Sequence, residues 1–306
     1  MTTLFSKFAT KALLYEVAVT PKPGLVDRHN SGAHNDMDFF TFVDSCMALE
    51  SYFIAIEETI DNLYCEVISC DCNFSTMTQE HTRNWNNLNA KKVFNAIQPL
   101  GILAEKNMLE TTNGVNTHKG AIYALGLNLA AVCESKYQCS QKNDDEKIAW
   151  IRNRISQYVT DAVNYELEHI NPTVKRTYGI NQYLRYGLLG ARGEAARGYP
   201  TVFEIGLPEL KMALAENLSL EHAAIQVLLK IIVALDDSNV IGRKGIGYLH
   251  ESQSFAELVL QNGAMRTERG RELIVKYDQW CIKERISHGG AADLMAVVLF
   301  FYFTNL

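Results

Sequence analysis

Along nearly the whole chain, apolar residues recur at three- to five-residue spacing, and nowhere do they alternate over the length of a strand. Leu4, Phe8, Leu13, Val17 and Ala18 make one such face, which Pro21 ends. Phe39, Phe42, Val43, Cys46, Leu49, Phe53 and Ile56 make a second, which Asp36 or Asp38 can cap. The same spacing predicts helices over about 90–109 with Pro99 inside, 118–136 opened by Thr117, and 146–169 followed by Pro172. It predicts others over about 182–189, 208–216, 220–235 with Ser219 as cap, 255–261, 267–286 and 290–303. Residues 60–87 read as a polar loop region, with 63–68 compatible with an extended run, and 137–145 as a polar connection. No internal repeat and no linker interrupts this pattern. The 306 residues are therefore expected to form an all-α, single compact multi-helix domain.

Charge narrows the partners. Lys and Arg number 29 against 35 Asp and Glu, a formal net charge of −6, so no general basic field exists to hold nucleic acid. The first ten residues hold no apolar core ahead of a cleavage site, and the longest apolar run, residues 294–303, is half of the roughly 20 residues that span a membrane. The expected location is the cytoplasm, away from membranes. The 7 cysteines suit reduced thiols, since Cys65, Cys70, Cys72 and His81 lack the paired spacing of zinc modules.

The unusual chemistry sits where helices meet, at five junctions. Residues 20–37 hold two prolines and then Lys22, Asp27, Arg28, His29, His34 and Asp36. Residues 112–120 form a Gly/Asn turn that places His118 and Lys119 at a helix start, where the dipole favours anions over a lysine unless both share a bound phosphate. Residues 187–200 crowd four glycines with Arg192, Glu194 and Arg197. Residues 235–245 place Asp236, Asp237 and Asn239 after a strongly apolar helix, where acids oppose the dipole unless a hard cation such as Mg²⁺ reverses the sign. Residues 287–293 begin the last apolar helix with Ser287, His288, two glycines and Asp293, which capping alone would explain unless it reaches a site. Each junction taken singly has an ordinary reading as a solvated or capping turn. No Walker-type loop, metalloprotease helix, nucleophile elbow or kinase motif is present.

At these junctions the chain resembles the triphosphoribosyl-dephospho-coenzyme A synthase family, over residues 14–37, 114–126, 190–200, 236–245 and 287–294, in the family's order. It departs from the family at 60–87 and 137–147, at His288, where a proline is usual, and at Arg197. The resemblance implies an all-helical pentosyltransferase that takes ATP and 3′-dephospho-CoA, releases adenine, and leaves a triphosphoribosyl group on the 2′-hydroxyl. The product would go to a separate holo-acyl-carrier transferase serving citrate lyase or, in a sister group, malonate decarboxylase. A homo-oligomer is compatible with it.

Such a reaction breaks an N-glycosidic bond through an oxocarbenium-like state, by analogy with glycoside chemistry. It needs cations for the triphosphate, a proton or hydrogen bond for the departing adenine, and a base for the hydroxyl. Lys22, Arg28, His118, Lys119 and Arg192 are the expected phosphate ligands. Asp236, Asp237 and Asn239 are the expected Mg²⁺ set. Asp27, Asp36 and Glu194 are candidates for the base, and His34 or His118 for the acid on adenine. A metal-dependent ADP-ribosyl or nucleoside hydrolase on a similar scaffold, and a non-catalytic helical interaction protein, are the alternatives.

Overall fold

A computed structural model describes residues 5–69, 88–168 and 183–306. Among them the secondary structure is helical throughout, with no strand. The order is α1 (Phe5–Ala18), α2 (Phe39–Ser69), α3 (Ala90–Thr111), α4 (Lys119–Gln138), α5 (Asp144–Glu168) and α6 (Gly190–Ala196). A π-helical turn (Thr201–Gly206) runs into α7 (Leu207–Ala215). Then come α8 (Leu220–Ala234), α9 (Ser238–Lys244), α10 (Ile246–Gln261), a 3₁₀ turn (Ala264–Arg266), α11 (Glu268–Glu284) and α12 (Gly289–Thr304).

Two of these helices are buried on every side. In α4, residues Leu125 and Leu127 to Ser135 all face protein, and in α12 so do Leu294 to Phe301. A helix apolar all round has no solvent face and must lie at the centre of a large core. α4 and α12 pack on each other there. α1, α2 and α5 cover α4, while α1, α8 and the π-helical turn cover α12. Among the described residues α2 alone is long and apolar enough to cross a membrane. Its Cys46, Leu49, Phe53, Ile56 and Ile60 are fully buried against the rest of the molecule, which makes it a core helix.

The caps explain most boundaries. Asp38 Oδ1 accepts from Thr41 N at 2.9 Å, Ser219 Oγ from His222 N at 3.2 Å, and Thr267 Oγ1 from Gly270 N at 2.9 Å. Asn143 and Glu146 cap each other reciprocally, so α5 begins two residues before the expected start. Thr117 does not cap α4: its hydroxyl donates to Ser45 Oγ at 2.7 Å, and Asn116 Oδ1 takes the Lys119 N–H instead.

α2 continues through 60–69, including the run expected to be extended, because Ile60 and Tyr64 extend its buried stripe against the core. Residues 70–87, with Cys70, Cys72 and His81, lie outside the described residues. Of the expected helix over 182–189, residue 182 lies outside the described residues, 183–186 are helical, and Gly187, in the left-handed region, ends the turn. Within the junction at 235–245, Ser238–Lys244 forms a new helix, α9, and α10 begins at Ile246 rather than near Phe255.

Candidate functional site

All five junctions open onto one cavity of about 250 Å³. Lys22 and His34 reach it from the first, His118 and Lys119 from the second, and Glu194 and Tyr199 from the third. Asp236, Asn239 and Arg243 come from the fourth, and Ser287 and Asp293 from the fifth. The glycines are where the junctions press on one another. Gly24 has φ +70°, and a Cβ there would fall 2.1 Å from Ile286 O, so the first junction lies directly on the fifth. A Cβ on Gly120 would fall 1.9 Å from Asp293 Oδ2, so the second junction also closes on the fifth.

The cavity has a cationic and an acidic component. Lys22 is buried and paired with Glu16, a residue of α1 outside the five junctions. Burial pushes the Glu16 carboxyl up, and the Lys22 ammonium opposes that shift. Asp293 accepts a main-chain hydrogen bond from Ala121 in the first turn of α4, yet its carboxyl is held well above the usual range. Burial is the main cause, and the charges of Glu16 and Asp237 add to it. Glu194 is fixed by Thr201, whose hydroxyl and N–H donate to its two oxygens at 3.0 and 3.3 Å.

His118 is held by a relay of two hydroxyls. Thr117 donates to Ser45 Oγ, and Ser45 Oγ lies 2.7 Å from His118 Nδ1. With the Thr117 hydrogen in one of its lone pairs, the Ser45 hydroxyl can donate to Nδ1, and in that arrangement the ring hydrogen stands on Nε2. That Nε2 is buried without a protein partner, on a residue that lines the cavity. Burial, with a smaller contribution from Lys22, pushes the imidazole down to about 3, so it is neutral at physiological pH. With its hydrogen on Nε2, such a neutral ring is a hydrogen-bond donor rather than an acid. Tyr199 OH is a second buried polar atom on this wall without a partner. His34 Nε2 is 2.8 Å from Ser287 Oγ, and its imidazole is shifted down by burial first and by Arg243 second.

Several expected site residues stand elsewhere. Asp27 accepts four hydrogen bonds within its own junction, from Thr20 Oγ1 and the N–H groups of Lys22, His29 and Asn30. Its oxygens are committed to shaping the loop, and it does not line the cavity. Arg28 is exposed and pairs with Glu221 at 2.6 Å. Asp36 is exposed, its carboxylate 3.8 Å from His34 Nδ1. Lys119 is at the rim, 59% exposed, with its ammonium 2.5 Å from Glu105. Arg192 lines a neighbouring cavity, and Arg197 points outward, 63% exposed. His288 is buried away from the cavity, held by Ser252 Oγ at 2.7 Å and Tyr277 OH at 3.1 Å.

The expected Mg²⁺ set does not form a metal cage. Asp237 is buried, and its two oxygens accept from Asn239 N at 2.8 Å and Ala291 N at 3.1 Å, the leading turns of α9 and α12. Its carboxylate therefore stands at two helix N-termini, where the dipole favours it, and no cation is needed to explain it. Asp236 and Asn239 are exposed at the mouth. Among the described residues no group of three or more His, Cys, Asp or Glu is arranged to hold a metal ion.

Residues 3–305 match the family described as ATP:dephospho-CoA triphosphoribosyl transferase. A protein of Streptococcus mutans serotype c named "Probable 2-(5''-triphosphoribosyl)-3'-dephosphocoenzyme-A synthase" is 33% identical over 309 residues, covering 97% of this chain and 95% of the relative. A protein of the same name from Streptococcus pyogenes serotype M5 is 33% identical over 310 residues, covering 98% and 96%. No solved structure matches.

Proposed function

Because this chain belongs to the ATP:dephospho-CoA triphosphoribosyl transferase family, we propose that the cavity closed by its five junctions is where the two substrates react. The activity is that of a triphosphoribosyl-dephospho-CoA synthase, a transferase acting on ATP and dephospho-CoA. The observation that supports the location is the convergence itself: segments spread from residue 16 to residue 293 line one cavity rich in ionisable groups.

The residues divide the work as follows. Lys22, Lys119 and Arg243 supply positive charge for the triphosphate, and the His118 Nε2–H offers it a neutral donor from a dry wall. Magnesium enters with ATP as the counter-ion of its phosphates, which requires few protein ligands. Asp293, whose carboxyl is favoured in its neutral form by burial, donates to a ring nitrogen of the departing adenine. Glu194, oriented by Thr201, accepts the proton of the attacking 2′-hydroxyl. The two carboxyl groups thus act as acid and base because their surroundings differ. The product serves as a prosthetic-group precursor in the cytoplasm, with citrate lyase as the first beneficiary to test.

Incubation of the protein with ATP, with and without dephospho-CoA, tests the assignment by chromatography. The expected result is adenine release that requires the acceptor and equals product formed. Equally fast release without acceptor would mean hydrolysis, with water in place of the hydroxyl. Loss of turnover in Glu194→Gln and Asp293→Asn, with thermal stability retained, is the expected signature of the two roles.

A further inference from the structure

A second cavity, of about 360 Å³, lies beside the first, between α2, α3 and α4. Its wall is largely apolar and aromatic, with Tyr52, Phe94, Ile97, Ile102, Ile122 and Tyr123. Lys119, Gly120 and Ala191 line both cavities, so the two share a wall at the start of α4. Two cationic side chains, Lys119 and Arg192, line the second one.

The surrounding helices are built to keep this space open. Gly101 sits inside α3 where alanine would make a better helix, and the nearest atom to a Cβ there is Tyr52 Oη at 3.5 Å. Gly126, inside α4, leaves room for the Tyr52 hydroxyl, which would otherwise meet a Cβ at 2.0 Å. Tyr52 in turn donates to Ile122 O at 3.1 Å, which fixes its ring as part of the wall. On α3, Ile102 and Leu103 are 67% and 53% exposed, so the apolar lining continues to the surface.

We propose that this second cavity holds the adenosine end of the acceptor, dephospho-CoA. The inference rests on the synthase reading above. Transfer requires the acceptor's 2′-hydroxyl to reach C1 of the donor ribose, so the acceptor ribose must sit at a wall common to both sites. Only one end of so long a molecule fits a cavity of this size. A flat adenine suits the aromatic and aliphatic lining. The acceptor's diphosphate then passes Lys119 and Arg192, and its pantetheine arm leaves over Ile102 and Leu103. The bond formed joins the acceptor's 2′-oxygen to the donor's C1, the bond broken is C1 to adenine nitrogen, and the hydroxyl proton balances the one that adenine gains.

An adenosine could equally come from ATP, and kinetics separates the two sources. Gly101→Leu fills the cavity, and Ile102→Glu sets a negative charge at its exposed edge without disturbing the core. Each should raise KM for dephospho-CoA about tenfold and leave KM for ATP unchanged, with calorimetric binding of dephospho-CoA alone weakened in parallel. A rise in KM for ATP alone would place the donor's adenine here and overturn the proposal. Unchanged constants for both substrates would overturn it as well. If Gly101→Leu fails to fold, Ile102→Glu decides alone. Failure of the wild-type protein to form product would instead overturn the synthase reading, which the calorimetric titration does not depend on.

Discussion

Asp293 Oδ2 occupies the space that a side chain at position 120 would need, only 1.9 Å from an ideal Cβ on Gly120. The contact ties α4 to α12 at the cavity wall, and the same carboxyl accepts from Ala121 N. Gly120→Ala should therefore displace the Asp293 carboxyl while changing stability little, because the side chain can swing into the cavity. A displacement of about 1 Å in a reacting group can cost on the order of a hundredfold in rate. Turnover should fall by about that factor while the melting temperature stays near wild type. Wild-type turnover in this variant would remove Asp293 from the mechanism.

Lys22 and Glu16 form a buried pair, and breaking it from one side should be severe. Lys22→Met leaves an uncompensated carboxylate in the interior, at a cost of about 3–5 kcal/mol. The double variant Lys22→Met with Glu16→Gln should recover most of that loss in urea unfolding, because no bare charge remains. It should not recover ATP binding. Recovery of both would show that the pair only holds the fold.

Asp237 and Asp236, adjacent in sequence, should behave in opposite ways. Asp237→Ala removes the acceptor from the first turns of α9 and α12 together and should cost about 2–3 kcal/mol of unfolding free energy. Asp236→Ala, at the exposed mouth, should leave stability within about 0.5 kcal/mol. A Mg²⁺ titration of stability without nucleotide should be flat for wild type and both variants. A magnesium-dependent stabilisation lost in Asp237→Ala would restore the metal reading of that residue.

The pH dependence of stability carries the mark of His118. Its imidazole sits near 3 in the folded protein and near the ordinary 6.5 when unfolded. Between those values the unfolded chain binds the extra proton, so the stability tied to the neutral ring is full above about pH 6.5 and is lost as pH falls below it. The slope is at most about 1.4 kcal/mol per pH unit. Set against His118→Asn, wild type should lose stability faster between pH 6 and about pH 5, as read from unfolding free energies. Parallel curves would mean that the folded ring titrates normally.

Arg28 offers a contrast. Its partner Glu221 is on α8 and the arginine is half exposed, so the pair should contribute under about 1 kcal/mol. Arg28→Ala should leave both stability and KM for ATP close to wild type. A large rise in KM for ATP would return Arg28 to the phosphate ligands.

The helical architecture was legible because burial and period coincide. Ser219 caps where the pattern places it, and the apolar stripe of α2 is the stripe that packs. α9 was hidden because Ser238–Lys244 is short and mixes polar residues with a glycine, leaving no apolar period to detect. Missing that helix is what turned its cap, Asp237, into an apparent metal ligand. Glu16 escaped for a related reason: a lone acid in an amphipathic helix reads as solvent-facing until its distant partner is known. Composition marked the five junctions, whereas the direction of each side chain within them depended on tertiary contacts. Asp27, committed to four loop hydrogen bonds, and Glu194, turned to the cavity, are indistinguishable as sequence.

Ser45 has no charge and belongs to none of the five junctions, yet its hydroxyl is the partner of His118 Nδ1, and when that hydroxyl donates, the ring hydrogen stands on Nε2. With the hydrogen on Nε2 the ring attracts an incoming phosphate oxygen. With it on Nδ1 the same ring would present a lone pair and repel that oxygen. One hydroxyl on α2, relayed from Thr117, thus sets the polarity of a contact that neither of them makes. A change at position 45 should therefore alter nucleotide affinity with the cavity's shape and formal charge left as they are.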